Sequence, residues 1–127
     1  ETHTPLAGLL DENRSRVIST TESLKIFADR GFNAFQGNTT IGCILTNALL
    51  TKAQAKKVAM MAHNGYARAI HPVHTSVDGD AIFTMAKGEV EAHIDVIGVT
   101  AAEVMAKAIN RAVKVASAYG FKGNLDL

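Results

Sequence analysis

Cysteine occurs once in the 127 residues, so Cys43 has no intrachain disulfide partner and no cystine framework holds the fold. Within an apolar run it reads as a small buried hydrophobe, and its isolation suits a reducing, cytoplasmic setting. Long hydrophobic runs are also missing. None approaches the roughly 20 residues that a bilayer-crossing helix needs, so no membrane span is expected. Neither sign of charge is in excess, with 13 basic against 12 acidic residues and a net charge of +1. No basic run or stripe stands out, which argues against nucleic acid or an anionic membrane as partner. Repeats, low-complexity tracts and convincing linkers are absent as well. The chain opens on Glu1 rather than methionine and shows no signal-peptide pattern, so a leader or a larger N-terminal portion is expected ahead of it.

What is present is a balance of 47% hydrophobic and 20% charged residues, the composition of one globular domain. A chain of this length removes roughly two-thirds of its surface from water on folding. Residues 5–10, PLAGLL, read as a short strand end. Ser19-Thr20-Thr21-Glu22 has the spacing of a capping box before SLKIFADRG, a short helix stopped by Gly31. Residues 32–38 read as a loop, and TIGCILTNALL then reads as a buried strand, continuously apolar between turn residues. Thr51-Lys52-Ala53-Gln54 is a second capping box. Behind it Ala55, Val58, Ala59, Ala62, Tyr66 and Ala69 recur at the 3.6-residue helical period, with side chains small enough to pack closely on a sheet, and Pro72 ends the helix. AIFTMA, 81–86, is a further strand. HIDVIGV, 93–99, either continues the sheet or leads into the last helix. That helix is expected behind a third capping box at Thr100 and Glu103, with an apolar stripe of Met105, Ala108, Ile109, Ala112, Val113 and Ala116. The fold class is α/β or α+β, with the strand direction left open.

Three groups of residues bear chemistry. In Gly37-Asn38-Thr39-Thr40, a threonine becomes a nucleophile if its own α-amine is freed to act as base, and that requires cleavage of the preceding bond. Gly37 supplies the backbone freedom for such a junction. A Gly-Asn turn leading into a strand accounts for the same residues. In Asp78-Gly79-Asp80, two carboxylates two apart can hold their protonation states apart or orient an amine and a hydroxyl; an Asp-Gly turn before a strand is the plainer reading. His63, His71 and His74 together with these aspartates offer metal-ligand chemistry, but the His-Pro-Val-His spacing lacks the i, i+4 placement of a helical zinc pair and has no Cys partner. Satisfied loop histidines are the plainer reading, and no metal is assigned. Gly65 and Met60-Met61 read as packing features.

These elements in this order resemble the C-terminal part of the L-aminopeptidase/D-amidase-esterase family, which includes β-aminopeptidases and nylon-oligomer endohydrolases. The resemblance is densest over GNTTIGCILTNALLTKAQAKKVAMMAHNGYARAIHPVHTSVDGDAIFTMA, from Gly37 to Ala86, and extends upstream to AGLLDENRSRVISTTESLKIF. It implies a share of an αββα sandwich and a precursor that splits at Asn38–Thr39. Residues 1–38 would then end a large chain, and residues 39–127 would form a small chain within a single structural domain that is incomplete without upstream residues. Thr39 would attack an amide or ester carbonyl through an acyl-enzyme, its α-amine serving as base. Asp78 and Asp80 would orient or tune that amine, and no cofactor would be needed. The large chain of the same precursor is the implied partner, in a homo-oligomer of processed heterodimers acting on a small peptide or amide. The family's oxyanion-stabilising Asn and its nearby Tyr or Lys belong upstream, and nothing in residues 1–36 matches them. An unprocessed, non-catalytic α/β binding or assembly domain is the alternative, and a metal-dependent hydrolase on His71, His74, Asp78 and Asp80 is a further one.

Overall fold

The computed structural model describes residues 5–13, 15–28, 39–76 and 78–118. Five elements follow in order: α1 (Thr20–Ala28), β1 (Ile41–Ala48), α2 (Lys52–Ala69), β2 (Ala81–Val90) and α3 (Ile94–Ala118). Helices and strands are therefore mixed, as an α/β (α+β) chain requires. The chain divides into two compact units, Glu1–Ala34 with Ile109–Leu127, and Phe35–Ala108. No helix among the described residues is long and apolar enough to cross a membrane.

In the first unit, the expected strand end at residues 5–10 is reduced to an isolated antiparallel bridge between Leu10 and Val17. The Ile18 amide donates to the Leu9 carbonyl at 2.7 Å, and the Asp11 carboxylate closes the intervening turn by accepting from the Ser15 amide at 2.7 Å. The capping side chain of α1 is Ser19, whose hydroxyl accepts from the Glu22 amide at 3.2 Å. Gly31 and the loop read over 32–38 lie outside the described residues.

The second unit is built on a β–α–β crossover. β1 and β2 pair in parallel, running in register from Ile41↔Ala81 to Thr46↔Ala86. The register then shifts, and Ala48 pairs with Val90. Gly88 lies in that irregular stretch with φ of 83°, a conformation only glycine takes without strain. α2 connects the strands and starts as expected. Thr51 Oγ1 accepts from the Gln54 amide at 3.3 Å, and Gln54 Oε1 accepts from the Thr51 amide at 2.8 Å, which completes the capping box. Its buried face is Val58, Ala62, Gly65 and Tyr66, close to the face read from the sequence.

HIDVIGV, open in the sequence between a further strand and a lead into the last helix, is the start of that helix. α3 begins at Ile94, so the cap expected at Thr100 and Glu103 is corrected: both residues lie within the helix and cannot cap it. Its first turn is organised at His93, whose carbonyl accepts from the Ile97 amide at 3.2 Å. The buried face is accordingly earlier than the stripe expected from Met105 onward and comprises Gly98, Ala101, Ala102 and Met105. β-Branched residues at 94, 96, 97 and 99 imitate a strand, but small residues at 98, 101 and 102 let this helix approach α2. A Cβ on Gly65 would press on the Ala102 carbonyl oxygen and come within 2.7 Å of the Met105 Cβ, and one on Gly98 would strike the Met61 side chain.

Among the described residues the sheet is covered on one side only. Ile44 and Ala48 are buried, whereas Ile41, Leu45, Phe83 and Met85 on the opposite face are 60–74% exposed. β1 is thus half-buried rather than the fully buried strand its apolar run suggested, and Cys43 is exposed, not a core residue. The physical reason is layer count: one helical layer buries one sheet face, and parallel strands are hydrophobic on both.

Candidate functional site

Parallel pairing brings the starts of β1 and β2 to the same edge of the sheet, so Thr39-Thr40 and Asp78-Gly79-Asp80 become neighbours although they are some 40 residues apart in sequence. The Thr40 amide donates to Asp80 Oδ1 at 2.8 Å. Immediately behind, the Ala81 amide donates to the Thr40 carbonyl at 3.0 Å. This two-bond clasp sets Asp80 one residue from Thr39. Thr39 itself is exposed, and its hydroxyl lies over Gly79, with Oγ1 only 2.8 Å from the point a Cβ on that glycine would occupy. Gly79 is therefore more than a turn residue, because any side chain there would collide with the threonine hydroxyl.

Asp78 is held differently. Its Oδ2 accepts from the Thr75 hydroxyl at 3.1 Å, and its amide donates to the Thr75 carbonyl at 3.1 Å, so the carboxylate is half-buried and tied to its own loop. Asn38 lies outside the described residues.

Beneath the clasp is an aromatic layer from α2 and the following loop. Tyr66 is 0% exposed, and its hydroxyl lies 3.3 Å from both the Thr40 and the Ala81 carbonyl oxygens. Burial raises the Tyr66 pKa, and the nearby Asp80 charge raises it further, so the phenol stays protonated and donates. The His63 ring packs edge-on to Tyr66 at 5.3 Å and lies 4.3 Å from the ring of His74. His74 adopts φ of 57°, in the left-handed region. Burial pushes the His63 pKa down, the adjacent His74 pushes it further, and Asp80 opposes both. His63 Nδ1 is buried without a hydrogen-bond partner. His71 is exposed, and among the described residues no group of three or more His, Cys, Asp or Glu side chains is arranged to hold a metal.

The residues sequence reasoning passed over are Tyr66 and Gly79. Tyr66 was one member of an apolar stripe, yet it was the single hydroxyl on a face otherwise made of alanine and valine, and that was the available signal. Chemically, the edge offers the hydroxyl of an exposed threonine over Gly79, a carboxylate anchored on the next residue's amide and a buried phenol.

Comparison with known proteins places the chain in a family. An uncharacterized aminopeptidase of Mycobacterium leprae (strain TN) is 53% identical over 55 residues, which is 43% of this chain and 15% of that protein. Another, from Mycobacterium tuberculosis (strain ATCC 25618 / H37Rv), is 49% identical over 53 residues, 42% of this chain and 15% of that protein. A 6-aminohexanoate-oligomer endohydrolase of Paenarthrobacter ureafaciens is 31% identical over 91 residues, 61% of this chain and 26% of that protein. The chain thus spans about a quarter or less of each of these three relatives. The family described as Peptidase family S58 matches residues 4–125, and the chain belongs to that family.

Proposed function

We propose that this chain supplies the nucleophile of an amide or peptide hydrolase that generates its own active N-terminus at Thr39. The observation that carries the reading is the placement of the Thr39 hydroxyl against Gly79, one residue from the Asp80–Thr40 clasp. Family membership supports it, as does the likeness to an uncharacterized aminopeptidase and to a 6-aminohexanoate-oligomer endohydrolase.

In the processing step, the Thr39 hydroxyl adds to the Asn38 carbonyl carbon and the Asn38–Thr39 C–N bond breaks. The Thr39 nitrogen takes up the hydroxyl proton and becomes a free amine. Water opens the resulting ester, leaving an Asn38 carboxylate and restoring the hydroxyl. In turnover, that amine, with a free pKa of about 7.7–8.0, accepts the hydroxyl proton as Oγ1 attacks the substrate carbonyl. It then passes the proton to the departing amine, and water hydrolyses the acyl ester. Asp80 stabilises the ammonium form and fixes its direction, because its carboxylate is already anchored on the Thr40 amide. Asp78 assists from the loop braced by Thr75.

The oxyanion donors and the remainder of the fold come from an upstream large chain of the same precursor, with residues 1–38 as its end. The bare sheet face of Ile41, Leu45, Phe83 and Met85 supports this, since apolar surface of that kind marks a missing layer. The processed heterodimer assembles into a homo-oligomer, and the substrate is a small peptide or amide. The test is Thr39→Ala beside Thr39→Ser in the full-length precursor. Alanine is expected to leave a single uncleaved chain without hydrolase activity, and serine to retain some of both. Hydrolysis by an alanine variant at the wild-type rate overturns the proposal.

A further inference from the structure

We propose that Tyr66 is a positioning residue for the Thr39 nucleophile, its hydroxyl tying together the backbone roots of the two strands that carry Thr39 and Asp80. The inference rests on the function proposed above and adds a residue to it. Tyr66 is fully buried on α2, and its hydroxyl lies 3.3 Å from the carbonyl oxygens of Thr40 and Ala81. Those are the residues immediately after Thr39 and Asp80. A shared donor at equal distance from both carbonyls resists sliding of one strand past the other at the point where the Asp80 carboxylate must reach the Thr40 amide.

The surroundings are shaped for this hydroxyl. Gly42, one residue along from Ile41 at the start of β1, leaves the space it occupies, since a Cβ there would come within 2.7 Å of the Tyr66 oxygen. The Tyr66 ring also packs against His63 at 5.3 Å and His74 at 6.4 Å. The hydroxyl thus has a fixed address in an aromatic layer, where its loss removes a directional contact and little volume. A phenylalanine would fill the same ring site and leave both carbonyls without it. Displacement of a reacting group by about 1 Å is enough to slow chemistry on the order of 10²-fold.

The experiment uses the full-length precursor and reads the first-order rate of cleavage at Asn38–Thr39 by intact mass, so no substrate has to be known. Three forms are compared with the wild type: Tyr66→Phe; p-aminophenylalanine at position 66, which restores a donor at the same place; and Val58→Ala, a core truncation on the same helix remote from the clasp. Tyr66→Phe is expected to slow cleavage roughly 10- to 100-fold, the amino analogue to recover most of that loss, and Val58→Ala to cleave at nearly the wild-type rate while melting lower. Equal slowing of Tyr66→Phe and Val58→Ala, or no rescue by the amino analogue, reduces Tyr66 to a packing residue and overturns the inference. So does a Tyr66→Phe precursor that cleaves as fast as the wild type, with the Thr39 reading left standing. A wild-type precursor that never cleaves overturns both.

Discussion

Placing one methyl group on Gly79 is the sharpest perturbation the site allows. Its Cβ would lie 2.8 Å from Thr39 Oγ1 and 3.6 Å from Thr39 Cγ2, so only the hydroxyl is in the way. Ordinary contact begins near 3.4 Å, which means the oxygen must retreat by about 0.6 Å or the side chain must change rotamer. Thr39 is exposed, so this motion disturbs no core. An off-rotamer side chain costs about 0.5–1.5 kcal/mol. Replacing glycine by alanine at a compatible backbone angle returns about 0.4–1 kcal/mol through the unfolded chain. The two nearly cancel, and the melting temperature of Gly79→Ala should stay within a few degrees of the wild type. Chemistry has no such compensation. A nucleophile moved by about 0.6 Å, or turned to another rotamer, loses roughly 10- to 10²-fold in rate, equivalent to about 1.4–2.7 kcal/mol of transition-state stabilisation. The assays are the self-cleavage rate of the full-length precursor and a thermal melt on the same preparation. A Gly79→Ala protein that melts normally and cleaves at the wild-type rate would refute the placement of the reacting oxygen over Gly79.

Asp80→Asn keeps an oxygen to accept from the Thr40 amide but removes the charge, so the fold should persist while hydrolysis by the processed form falls at least about 10-fold, as steady-state kinetics would register. Gly65→Ala drives a methyl into the Ala102 backbone, where no side chain can swing aside, and urea titration should show a loss of about 1–3 kcal/mol. The depressed pKa of His63 has a pH signature. The unfolded histidine, titrating near 6.5, binds a proton before the folded one does, so the contribution of His63 to stability is fully present above that value and is lost as pH falls from 6.5 toward the folded pKa. In a His63→Gln protein the stability should therefore decline less over this acid window, as denaturant melts at stepped pH would show.

Much of this was legible in the residues, and the failures have physical causes. The capping box at Thr51 and Gln54 is a local signal and formed as read. The expected cap at Thr100 has the same pattern but lies inside a helix that begins six residues earlier, because contacts with α2 at Gly65 and Gly98 outweigh a local preference. Cys43 and the outer residues of β1 read as buried because an apolar run does not say which of its two faces a helix covers, and the described helices cover one. The juxtaposition of Thr39 with Gly79 and of Thr40 with Asp80 depends on strand direction and register, which periodicity does not carry; the family resemblance supplied the pairing of those segments instead. Tyr66 escaped notice because helical spacing assigns a residue to a face without saying what its terminal oxygen meets.

The central claim is that a new chain begins at Thr39. N-terminal sequencing of the smaller fragment from the purified, active full-length protein tests it most directly. The expected fragment opens Thr-Thr-Ile-Gly-Cys, residues 39–43, and is missing from the Thr39→Ala protein. A fully active preparation that contains only uncleaved chain, or a fragment opening at any other residue, would contradict it.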